Sequence, residues 1–522
     1  MSPRPLRPTY DAPEAERYTA PGGPWDVADL DTTFSSVPGT PHPADVLVDP
    51  SNGQRLDGPA LDGAVGALAG GLRARGIRHG DVVAWQLPNI HESVLLFRAC
   101  WRLGAVATPL HHRAGESDLD AMLSALHPEM ILAGDGLPLS TRADVVAVRG
   151  ATPSFPDLVA AGEPVTEASA SPGDPALVLF TSGSSGTPKA VLHTHRALVY
   201  KARRMAEVHG LVPDDCVLMP APLAHISGLL NGVLIPGVMP IRTVLMDVWD
   251  PERALGLIEE EHVSFMIGPP TFFVTLMDTP GFDPSRVRPL RLVSSGGAGV
   301  TPSFVLDAAR RLGAHVKRTY GSTEAPTVTT SGSDDDEETA AHTDGRSTGD
   351  AELRIVDPGT GEERNAGEEG ELWLRGPELF AGYLDAAQTD AAIVDGWFRT
   401  GDLATVDDRG RLRVVGRMKD VVIRGGENIS ASEVEGLLEA HPAVRQAVVV
   451  GVPDETLGER VAACVVADGT FDLDTCRAWF AECGVARFKT PEVLRTFEAF
   501  PLLAAGKPDR AALAEMVRKP RP

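Results

Sequence analysis

The ten residues from Phe180 to Lys189, FTSGSSGTPK, combine side chains and backbone features that suit an anionic ligand. Gly183 and Gly186 allow backbone angles that are closed to other residues, so that N–H groups can approach an anion closely. Lys189 adds a positive charge. Five hydroxyl groups surround the glycines, those of Thr181, Ser182, Ser184, Ser185 and Thr187. Together these groups suit a polyphosphate.

The segment is not a Walker A loop, because Gly186 is followed by Thr187-Pro188 and not by Lys and then Ser or Thr. A flexible surface linker is the alternative interpretation. The apolar stretches ALVLF before the segment and AVLHTH after it flank it tightly, which favours a binding loop over a linker.

Further segments carry residue types that complement a nucleotide. In YGSTE (320–324), the Tyr320 ring can stack on a base and the Glu324 carboxylate can hold Mg²⁺ near phosphates. GWFRTGD (396–402) places Asp402 after a tight turn, where a carboxylate suits a ribose diol. Arg417 supplies a guanidinium, and Lys507 lies in a short loop close to the C-terminus.

The elements that must position these residues alternate between strands and helices. DVVAWQL (81–87) is typical of a buried strand, HESVLLFRACWRL (91–103) of a helix and GAVATPL (104–110) of the next strand, which predicts an α/β protein with a parallel sheet. More strands are predicted at 176–180, 262–268, 291–297 and 315–321, and a helix at 195–208. The Gly-rich and aromatic turns singled out above follow the carboxyl ends of these strands, where ligands gather in open α/β sheets.

Chain length and changes in pattern predict two domains. With 522 residues the chain is too long for one ordinary core. After residue 350, short strands with Gly and Asp turns predict a small antiparallel part, and the C-terminal region has helices and strands of its own. We place the boundary within residues 417–420, which gives a large domain over 1–418 and a small α+β domain over 419–522.

Composition argues against several classes of protein. The chain has 48 Lys and Arg against 72 Asp and Glu, a net charge of −24, so we expect no nucleic-acid partner. The five cysteines show no CxxC spacing, so neither a zinc site nor a disulfide framework is predicted.

No apolar run reaches about 18 residues, which argues against a membrane span. The polar N-terminal segment lacks the apolar region of a secretory signal, and we expect a cytoplasmic protein. The acidic run 334–338 is interpreted as a solvated loop and not as a metal site.

Taken in order, these motifs resemble those of the adenylate-forming superfamily: acyl-CoA synthetases, adenylation domains of peptide synthetases and beetle luciferases. The resemblance runs from QLPN near residue 86 to GKPDR near residue 510. The chain is most similar to bacterial acyl-CoA ligases of the medium-chain and cyclohexanecarboxylate type, through QLPNIHESVLLF, MDVWDPERALGLIEEEHVSFMIG, YGSTEAPTVTT and RGGENISASEVE. This resemblance implies a large domain of stacked α/β sheets with a small antiparallel part, and a small mobile α+β C-terminal domain.

The resemblance implies a two-step reaction that uses ATP, Mg²⁺ and CoA. A carboxylate attacks the α-phosphorus of ATP, which gives an acyl-adenylate and pyrophosphate, and a thiol then displaces AMP. It further implies that the 181–189 loop holds the β- and γ-phosphates, that Thr323 contacts the α-phosphate and that Glu324 binds Mg²⁺. Adenine, ribose and thiol contacts are implied for Gly296, Gly297, Ala298, Tyr320, Gly321, Asp402, Arg417, Gly425 and Gly426.

The same resemblance gives Lys507 a catalytic role at the carboxylate and the bridging oxygen. Bringing an anionic acid up to a polyanion is repulsive, and Lys507 and Mg²⁺ cancel this charge where it builds up. The small domain is then expected to turn about a hinge at Lys419, so that the Gly425-Gly426 loop faces the thiol tunnel. An ordinary surface lysine is the alternative for Lys419. Relatives often have Pro-Arg-Thr before the lysine loop, whereas here Pro501 is followed by Leu502-Leu503.

The acid pocket is also carried over from the resemblance. His225, in PLAHISGLL, matches a gate between the acid pocket and the thiol tunnel, with a purely structural histidine as the alternative. The implied lining consists of His225, Ile226, Gly228, Met266, Gly268, Pro269, Ser295, Gly296 and Gly297. No Asp or Glu lies between Val217 and Met246 to pair a substrate ammonium, which favours an apolar acid. The small residues Gly228 and Gly268 are expected to leave room for a ring or a medium chain.

Two rival functions are kept beside the acyl-CoA ligase. In the first, the adenylate is handed to a carrier-protein thiol, an amine or another acceptor, or an unusual small acid is activated. In the second, the protein is an inactive regulatory paralogue, which the intact set of Lys189, Glu324, Asp402, Arg417 and Lys507 disfavours. Fatty acid metabolism and secondary metabolism both fit, as do a monomer and a homodimer.

Overall fold

The computed structural model describes residues 6–36, 45–142, 145–149, 154–181, 188–297, 299–332, 335–425, 427–454, 456–502 and 508–518. Its strands are β1 (Leu47–Asp49), β2 (Gln54–Leu56), β3 (Val82–Gln86), β4 (Val106–Leu110), β5 (Met130–Gly134), β6 (Val145–Val148), β7 (Pro175–Thr181), β8 (Lys189–Thr194), β9 (Cys216–Met219), β10 (Arg242–Leu245), β11 (Phe265–Gly268), β12 (Leu292–Gly296), β13 (His315–Tyr320), β14 (Thr329–Thr330), β15 (Arg346–Ser347), β16 (Glu352–Val356), β17 (Gly370–Arg375), β18 (Ile393–Val394), β19 (Trp397–Val406), β20 (Leu412–Arg417), β21 (Val421–Arg424), β22 (Glu427–Ser430), β23 (Val444–Asp454), β24 (Gly458–Ala467) and β25 (Val493–Thr496).

The α-helices are α1 (Ala15–Thr19), α2 (Leu30–Ser36), α3 (Gly58–Ala74), α4 (His91–Leu103), α5 (Glu116–Leu126), α6 (Phe155–Val159), α7 (His195–Val208), α8 (Ile226–Leu229), α9 (Ile235–Val238), α10 (Pro251–Glu260), α11 (Pro270–Met277), α12 (Pro302–Leu312), α13 (Glu337–His342), α14 (Ala386–Ala392), α15 (Ala431–Glu439), α16 (Leu473–Glu482) and α17 (Arg510–Arg518). Short 3₁₀ segments lie at Pro138–Thr141, Met418–Asp420 and Arg487–Lys489, and a π-helical segment, Leu230–Leu234, joins α8 to α9.

Two large sheets form the N-terminal part of the molecule. The first has the order β6-β5-β3-β4-β7-β8 and is parallel except for the β7–β8 pair. The second has the order β15-β14-β13-β12-β11-β9-β10-β1-β2 and is parallel from β13 to β1. Antiparallel strands close it at both ends.

The largest hydrophobic core lies between these two sheets. It joins Val83 and Trp85 of β3 to Phe265 and Ile267 of β11, together with side chains of α3, α4 and α7. Met266 points the other way and joins a second core with α10, α11 and α12, because successive side chains of a strand point to opposite faces. The nine-stranded sheet is therefore covered on both faces, as its apolar strand sequences require.

Local sequence signals explain where several helices begin and end. Thr194 and Thr301 precede α7 and α12, and their hydroxyls accept hydrogen bonds from the N–H groups of Ala197 and Phe304. Helix α12 ends at Gly313, which has φ of +66°, a left-handed conformation that favours glycine. The two threonines therefore mark where α7 and α12 begin, and Gly313 marks where α12 ends.

A five-stranded antiparallel sheet follows, with the order β16-β17-β19-β18 and β20 paired to β19. Its core packs Leu372 and Phe398 against Val191 of β8, which attaches this sheet to the large N-terminal part. The predicted antiparallel region after residue 350 is confirmed.

The C-terminal part has a sheet and cores of its own. The sheet has the order β22-β21-β24-β23, with β25 parallel to β24. Helices α15 and α16 cover one face, and α17 covers the other through Leu513. The Ser430 hydroxyl donates a 2.7 Å hydrogen bond to the Val415 carbonyl oxygen across the connection. The predicted α/β fold with a smaller α+β unit is confirmed, and the boundary proposed at residues 418 and 419 falls in the turn Met418–Asp420.

The acidic run at residues 334–338 differs from the predicted solvated loop. In its described part, Asp336 accepts a 2.7 Å hydrogen bond from the Thr339 N–H, and Glu337 and Glu338 form the first turn of α13. Acidic side chains stabilise a helix N-terminus because they face the positive end of its dipole.

The five cysteines are free thiols. Of the helices in the described ranges, none is long and apolar enough to cross a membrane.

Candidate active site

The carboxyl ends of three parallel strands bring several motif residues to one edge of the nine-stranded sheet. Gly268 at the end of β11 pairs with Ser295 of β12, and Gly296 pairs with Thr319 of β13. Tyr320 ends β13, so the YGSTE segment begins at this edge. The sheet topology therefore collects the predicted adenine-side residues at the place where open α/β sheets bind ligands.

The predicted phosphate loop connects two paired strands. Thr181, the last residue of β7, pairs with Lys189, the first residue of β8, in antiparallel register. The residues from Ser182 to Thr187, which carry the glycines and most of the hydroxyls, lie outside the described residues. The flanking hairpin nonetheless determines where the loop begins and ends.

Tyr383 connects Lys189 to Glu324. The Tyr383 hydroxyl donates a 2.7 Å hydrogen bond to Oε1 of Glu324, and the Lys189 Nζ lies 4.9 Å from the centroid of the tyrosine ring. Tyr383 is buried, and Thr9 and Thr389 bind its backbone. Burial raises the pKa of Tyr383, and the Glu324 carboxylate raises it further, so the hydroxyl remains a donor. One rigid side chain thus holds a cation and a carboxylate in fixed relation.

His193 of β8 holds the backbone of the YGSTE segment. Its Nε2 lies 2.8 Å from the carbonyl oxygen of Thr323, and a carbonyl only accepts, so the neutral ring carries its proton on Nε2. Burial lowers the pKa of His193 to about 4, which keeps the ring neutral near pH 7. The Phe380 N–H donates a 2.8 Å hydrogen bond to the Glu324 carbonyl oxygen. Two separate elements therefore hold the turn that carries Thr323 and Glu324.

Asp402 is the centre of a second polar group. The Tyr320 hydroxyl donates a 2.7 Å hydrogen bond to Oδ2 of Asp402, and Nε of Arg417 lies 2.8 Å from Oδ1. Asp402 is 4% exposed, whereas Arg417 is exposed. Burial and the Asp402 charge raise the pKa of Tyr320 well above its usual value, so it stays a neutral donor. Three residues singled out in the sequence are thus in direct contact.

Two glycines of these turns are required by geometry. A Cβ at Gly321 would lie 2.3 Å from the backbone nitrogen of Thr327, far inside van der Waals contact. Gly297 has φ of +76°, in the left-handed region that other residues rarely adopt. Its neighbour Ala298 lies outside the described residues.

The predicted pocket residues are spread over several elements. His225 immediately precedes α8, and its ring centroid lies 5.0 Å from that of His111. Ile226 packs against the core between the two sheets. The Ser295 hydroxyl donates a 3.1 Å hydrogen bond to the Gly268 carbonyl oxygen, and Pro269 leads into α11. The pocket roles of these residues stay predictions.

The expectation that Gly228 and Gly268 leave room for the acid is wrong. A Cβ at Gly228 would lie 2.2 Å from the Pro222 carbonyl oxygen, and a Cβ at Gly268 would lie 2.5 Å from Cδ2 of Phe272. The protein's own backbone and an aromatic ring therefore take this space. Met266 is buried in the second core, with α10, α11 and α12, on the opposite face of β11 from Ile267.

The residues predicted to act from the C-terminal part are only partly described. Lys419 is exposed in the middle of the turn between β20 and β21. Gly425 has φ of +59°, and its N–H donates a 2.7 Å hydrogen bond to the Leu457 carbonyl oxygen. Gly426 and Lys507 lie outside the described residues.

Sequence reasoning missed Tyr383 and His193. Tyr383 lies 59 positions from Glu324, and no spacing rule connects a tyrosine in AGYLD to a carboxylate in YGSTE. His193 lies in AVLHTH directly after the phosphate loop, and a histidine inside a buried strand was the available signal.

With this geometry in hand, comparison with known proteins decides the family. Residues 35–384 match the AMP-binding enzyme family, and residues 433–507 match the AMP-binding enzyme C-terminal domain. The chain belongs to the AMP-binding enzyme family. The resemblance to adenylate-forming enzymes seen in the sequence is thereby confirmed.

Individual relatives cover most of the chain. The medium-chain fatty-acid–CoA ligase of Escherichia coli (strain K12) is 34% identical over 490 residues, which covers 89% of this chain and 86% of that protein. A feruloyl-CoA synthase of Amycolatopsis is 34% identical over 463 residues, covering 87% and 92%. The crystal structure of ATP-bound MatB from Rhodopseudomonas palustris matches with a TM-score of 0.86 at 27% identity, covering 94% of this chain and 98% of that one.

Proposed function

We propose that this protein ligates an apolar carboxylic acid to the thiol of CoA, with cleavage of ATP to AMP and pyrophosphate. The CoA-ligase relatives confirm the predicted enzyme class, an AMP-forming acid–thiol ligase, and do not favour the alternative acceptors. The observation that supports the site assignment is the pairing of Lys189 with Glu324 through Tyr383, beside the contact of Tyr320, Asp402 and Arg417.

The reaction proceeds in two balanced steps. In the first, a carboxylate oxygen forms a bond to the α-phosphorus of ATP, the bond from that phosphorus to the bridging oxygen breaks, and pyrophosphate leaves. In the second, the CoA sulfur, having lost its proton, attacks the acyl carbonyl carbon, and AMP leaves. Both steps bring anions together, so positive groups and hydrogen-bond donors must be held in place beforehand.

The contacts suggest how the nucleotide is held. Asp402, in contact with Arg417, is an acceptor for the two ribose hydroxyls. Tyr320 presents its ring at the sheet edge next to the Gly296-Gly297 turn, where a base can stack. Lys189 stands at the start of β8, directly after the phosphate loop in the chain, with its Nζ over the Tyr383 ring. Thr323 is held through its carbonyl by His193, which leaves its hydroxyl available to the α-phosphate.

The donor set suits Mg²⁺. This ion is usually bound by one or two carboxylates plus substrate phosphates and waters, and Glu324 is a half-buried carboxylate beside the phosphate-binding Lys189. Tyr383 occupies Oε1 of Glu324, so Oε2 is the oxygen offered to the metal. When bound, Mg²⁺ supplies charge neutralisation at the phosphates.

The acid is proposed to be medium-chain, alicyclic or aromatic. The segment from Val217 to Met246 around His225 has no Asp or Glu, so a substrate ammonium would be buried without a counter-charge. Relatives named for a medium-chain fatty acid, ferulate and indoleacetate agree with an apolar acid. The space for this acid must come from positions other than Gly228 and Gly268.

The second step is proposed to need a rearrangement of the C-terminal part about Lys419. Lys507 then serves the first step, and the loop at Gly425 and Gly426 serves the second. The support is the short turn Met418–Asp420, which links two units with separate cores.

The test is product analysis over a panel of carboxylic acids, with and without CoA. We expect AMP, pyrophosphate and an acyl-CoA thioester in equal amounts with an apolar acid when CoA is present. A panel in which amino acids are the best substrates would contradict the apolar pocket. Formation of ADP in place of AMP would contradict the proposed chemistry.

A further inference from the structure

Three histidine rings pack against one another where β4 ends and α8 begins. The rings of His111 and His112 are stacked with centroids 4.7 Å apart, and the His225 ring lies 5.0 Å from that of His111 at an interplanar angle of 46°. Among the described residues, these three do not form a group whose ligand atoms could share a metal ion. The cluster therefore calls for a different explanation.

Backbone contacts determine which nitrogen of His111 carries the proton. The N–H of Arg113 donates a 3.0 Å hydrogen bond to Nδ1 of His111, so Nδ1 is an acceptor and the neutral ring has its proton on Nε2. The Gln86 side chain donates to the carbonyl oxygens of both His111 and His112 at 3.4 Å, which holds the segment after β4. The ring therefore presents a defined N–H donor.

His111 stays neutral under ordinary conditions. Burial, and then the positive charges possible on His225, His112 and Arg113, lower the pKa of His111 to about 3. Asp247 is the acidic group that acts on the cluster, through His112. Near pH 7 the ring is thus an uncharged hydrogen-bond donor.

This donor lacks an acceptor. Nε2 of His111 is buried and makes no hydrogen bond within the described part of the chain. Buried donors in native proteins are almost always paired, and an exception in a site calls for a water or a ligand. The ring lies against His225, the residue predicted to separate the acid pocket from the thiol tunnel.

We propose that His111 is a substrate-binding residue whose Nε2–H donates a hydrogen bond to a carbonyl or carboxyl oxygen of a substrate held beside His225. This inference rests on the proposed function. Such an oxygen is present both on the acyl group and on the amides of CoA, and the experiment separates these two sources.

The test compares His111→Gln with His111→Asn. Glutamine places an amide N–H near the Nε2 position, whereas asparagine keeps an acceptor for the Arg113 N–H and offers no donor at Nε2. We expect His111→Asn to lower kcat/KM for thioester formation about tenfold or more, and His111→Gln to stay within about threefold of the wild type. His112→Asn is the matched control and is expected to behave like the wild type.

Two assays identify the source of the acceptor. A loss in acid-dependent pyrophosphate exchange without CoA places the acceptor on the acyl group. A loss confined to thioester formation, with a raised KM for CoA, places it on CoA. A donor that stays neutral also predicts a constant ratio of wild-type to His111→Asn rates between pH 6 and 9.

Three outcomes would overturn the inference: unchanged His111→Asn rates in both assays, equal losses in the Asn and Gln variants at unchanged melting temperature, or a rate ratio that follows a histidine titration. If asparagine impairs folding, His111→Met, which has the shape of glutamine without its donor, replaces it in the comparison. A wild-type protein that forms no thioester would contradict the proposed function itself and not this inference alone.

Discussion

Tyr383 is the residue on which the charge arrangement of the site depends. Its hydroxyl donates a hydrogen bond to Glu324, and its ring lies under Lys189. Sequence motifs singled out Lys189 and Glu324 but not Tyr383. A hydroxyl that donates to one carboxylate oxygen orients the carboxylate and leaves the other oxygen free for the proposed metal ion. The residues proposed to bind phosphate and metal, Lys189 and Glu324, are therefore coupled through one aromatic side chain.

Replacing Tyr383 with Phe removes the hydroxyl and keeps the ring under Lys189. We expect the Mg²⁺ concentration for half-maximal pyrophosphate release to rise about 10- to 100-fold, since such partners contribute that much to metal affinity. Tyr200→Phe is the matched control, because it removes a 2.7 Å hydrogen bond to Asp350 away from the site. An unchanged Mg²⁺ dependence in Tyr383→Phe would show that the hydroxyl does not orient Glu324.

At the scale of elements, the turn after β13 depends on close backbone packing at Gly321. A methyl group there would lie 2.3 Å from the Thr327 nitrogen. We expect Gly321→Ala to destabilise the protein by about 1–3 kcal/mol, the usual cost of overpacking, as a lower urea midpoint. Gly63→Ala in α3 is the control, because its Cβ meets open space and alanine favours the helix. Equal midpoints for Gly321→Ala and the wild type would contradict this packing.

Helix α15 carries a carboxyl group with a consequence for stability. Oε1 of Glu439 accepts a 3.0 Å hydrogen bond from the Ala447 N–H, and burial raises the pKa of Glu439 to about 7 from an ordinary 4.5. The folded protein thus holds this proton more tightly than the unfolded chain. The resulting stabilisation is present below about pH 4.5 and is lost as the pH rises through about 7.

Replacing Glu439 with Gln keeps an acceptor and removes the charge. We expect the variant to be more stable than the wild type by about 1–3 kcal/mol at pH 8 and nearly equal to it at pH 4.5. Denaturant unfolding at the two pH values measures the difference. A stability difference of the same size at both values would mean that ionisation of Glu439 is not its cause.

Regular elements could be predicted from sequence where one pattern decides. The helices 91–103 and 195–208 have the predicted bounds. The strand predicted at 262–268 begins only at Phe265. His262 takes a left-handed φ of +51°, and the Val263 N–H donates a hydrogen bond to the Ile258 carbonyl oxygen, so these residues close the end of α10 and do not start the strand. A local apolar run could not reveal this helix end.

The contact of Tyr320, Asp402 and Arg417 joins residues that sequence motifs had singled out, while the binding roles of these residues and of Glu324 stay predictions. The site was not predictable where contacts join distant segments, as for Tyr383. The space at Gly268 also could not be read from residue size, since whether a small residue leaves a cavity depends on what packs against it, here Phe272.

At the scale of the whole molecule, the short turn at Met418–Asp420 connects two units with separate cores. If rotation occurs there, it separates the two half-reactions in time. Polar contacts cross the connection in this structure, such as the hydrogen bonds that the Ser430 and Ser432 hydroxyls donate to the Val415 carbonyl oxygen. Polar contacts of this kind can be exchanged at low cost.

Replacing Lys419 with Pro restricts φ to near −65° and so opposes rotation at the turn. We expect thioester formation to fall roughly tenfold or more while pyrophosphate exchange changes little, since only the second step requires the rearrangement. Lys419→Ala removes the charge without restricting the backbone and is expected to retain both activities. Equal losses of both activities in the Pro variant would argue against a hinge at this residue.

The most direct test of the central claim is the acid-dependent exchange of labelled pyrophosphate into ATP in the absence of CoA. An enzyme that forms an acyl-adenylate must catalyse this exchange with the same apolar acids that it converts to thioesters. We predict exchange that requires the acid and Mg²⁺ and does not require CoA. Thioester formation without any such exchange would contradict the adenylate pathway, and with it the roles given to Lys189, Glu324 and Asp402.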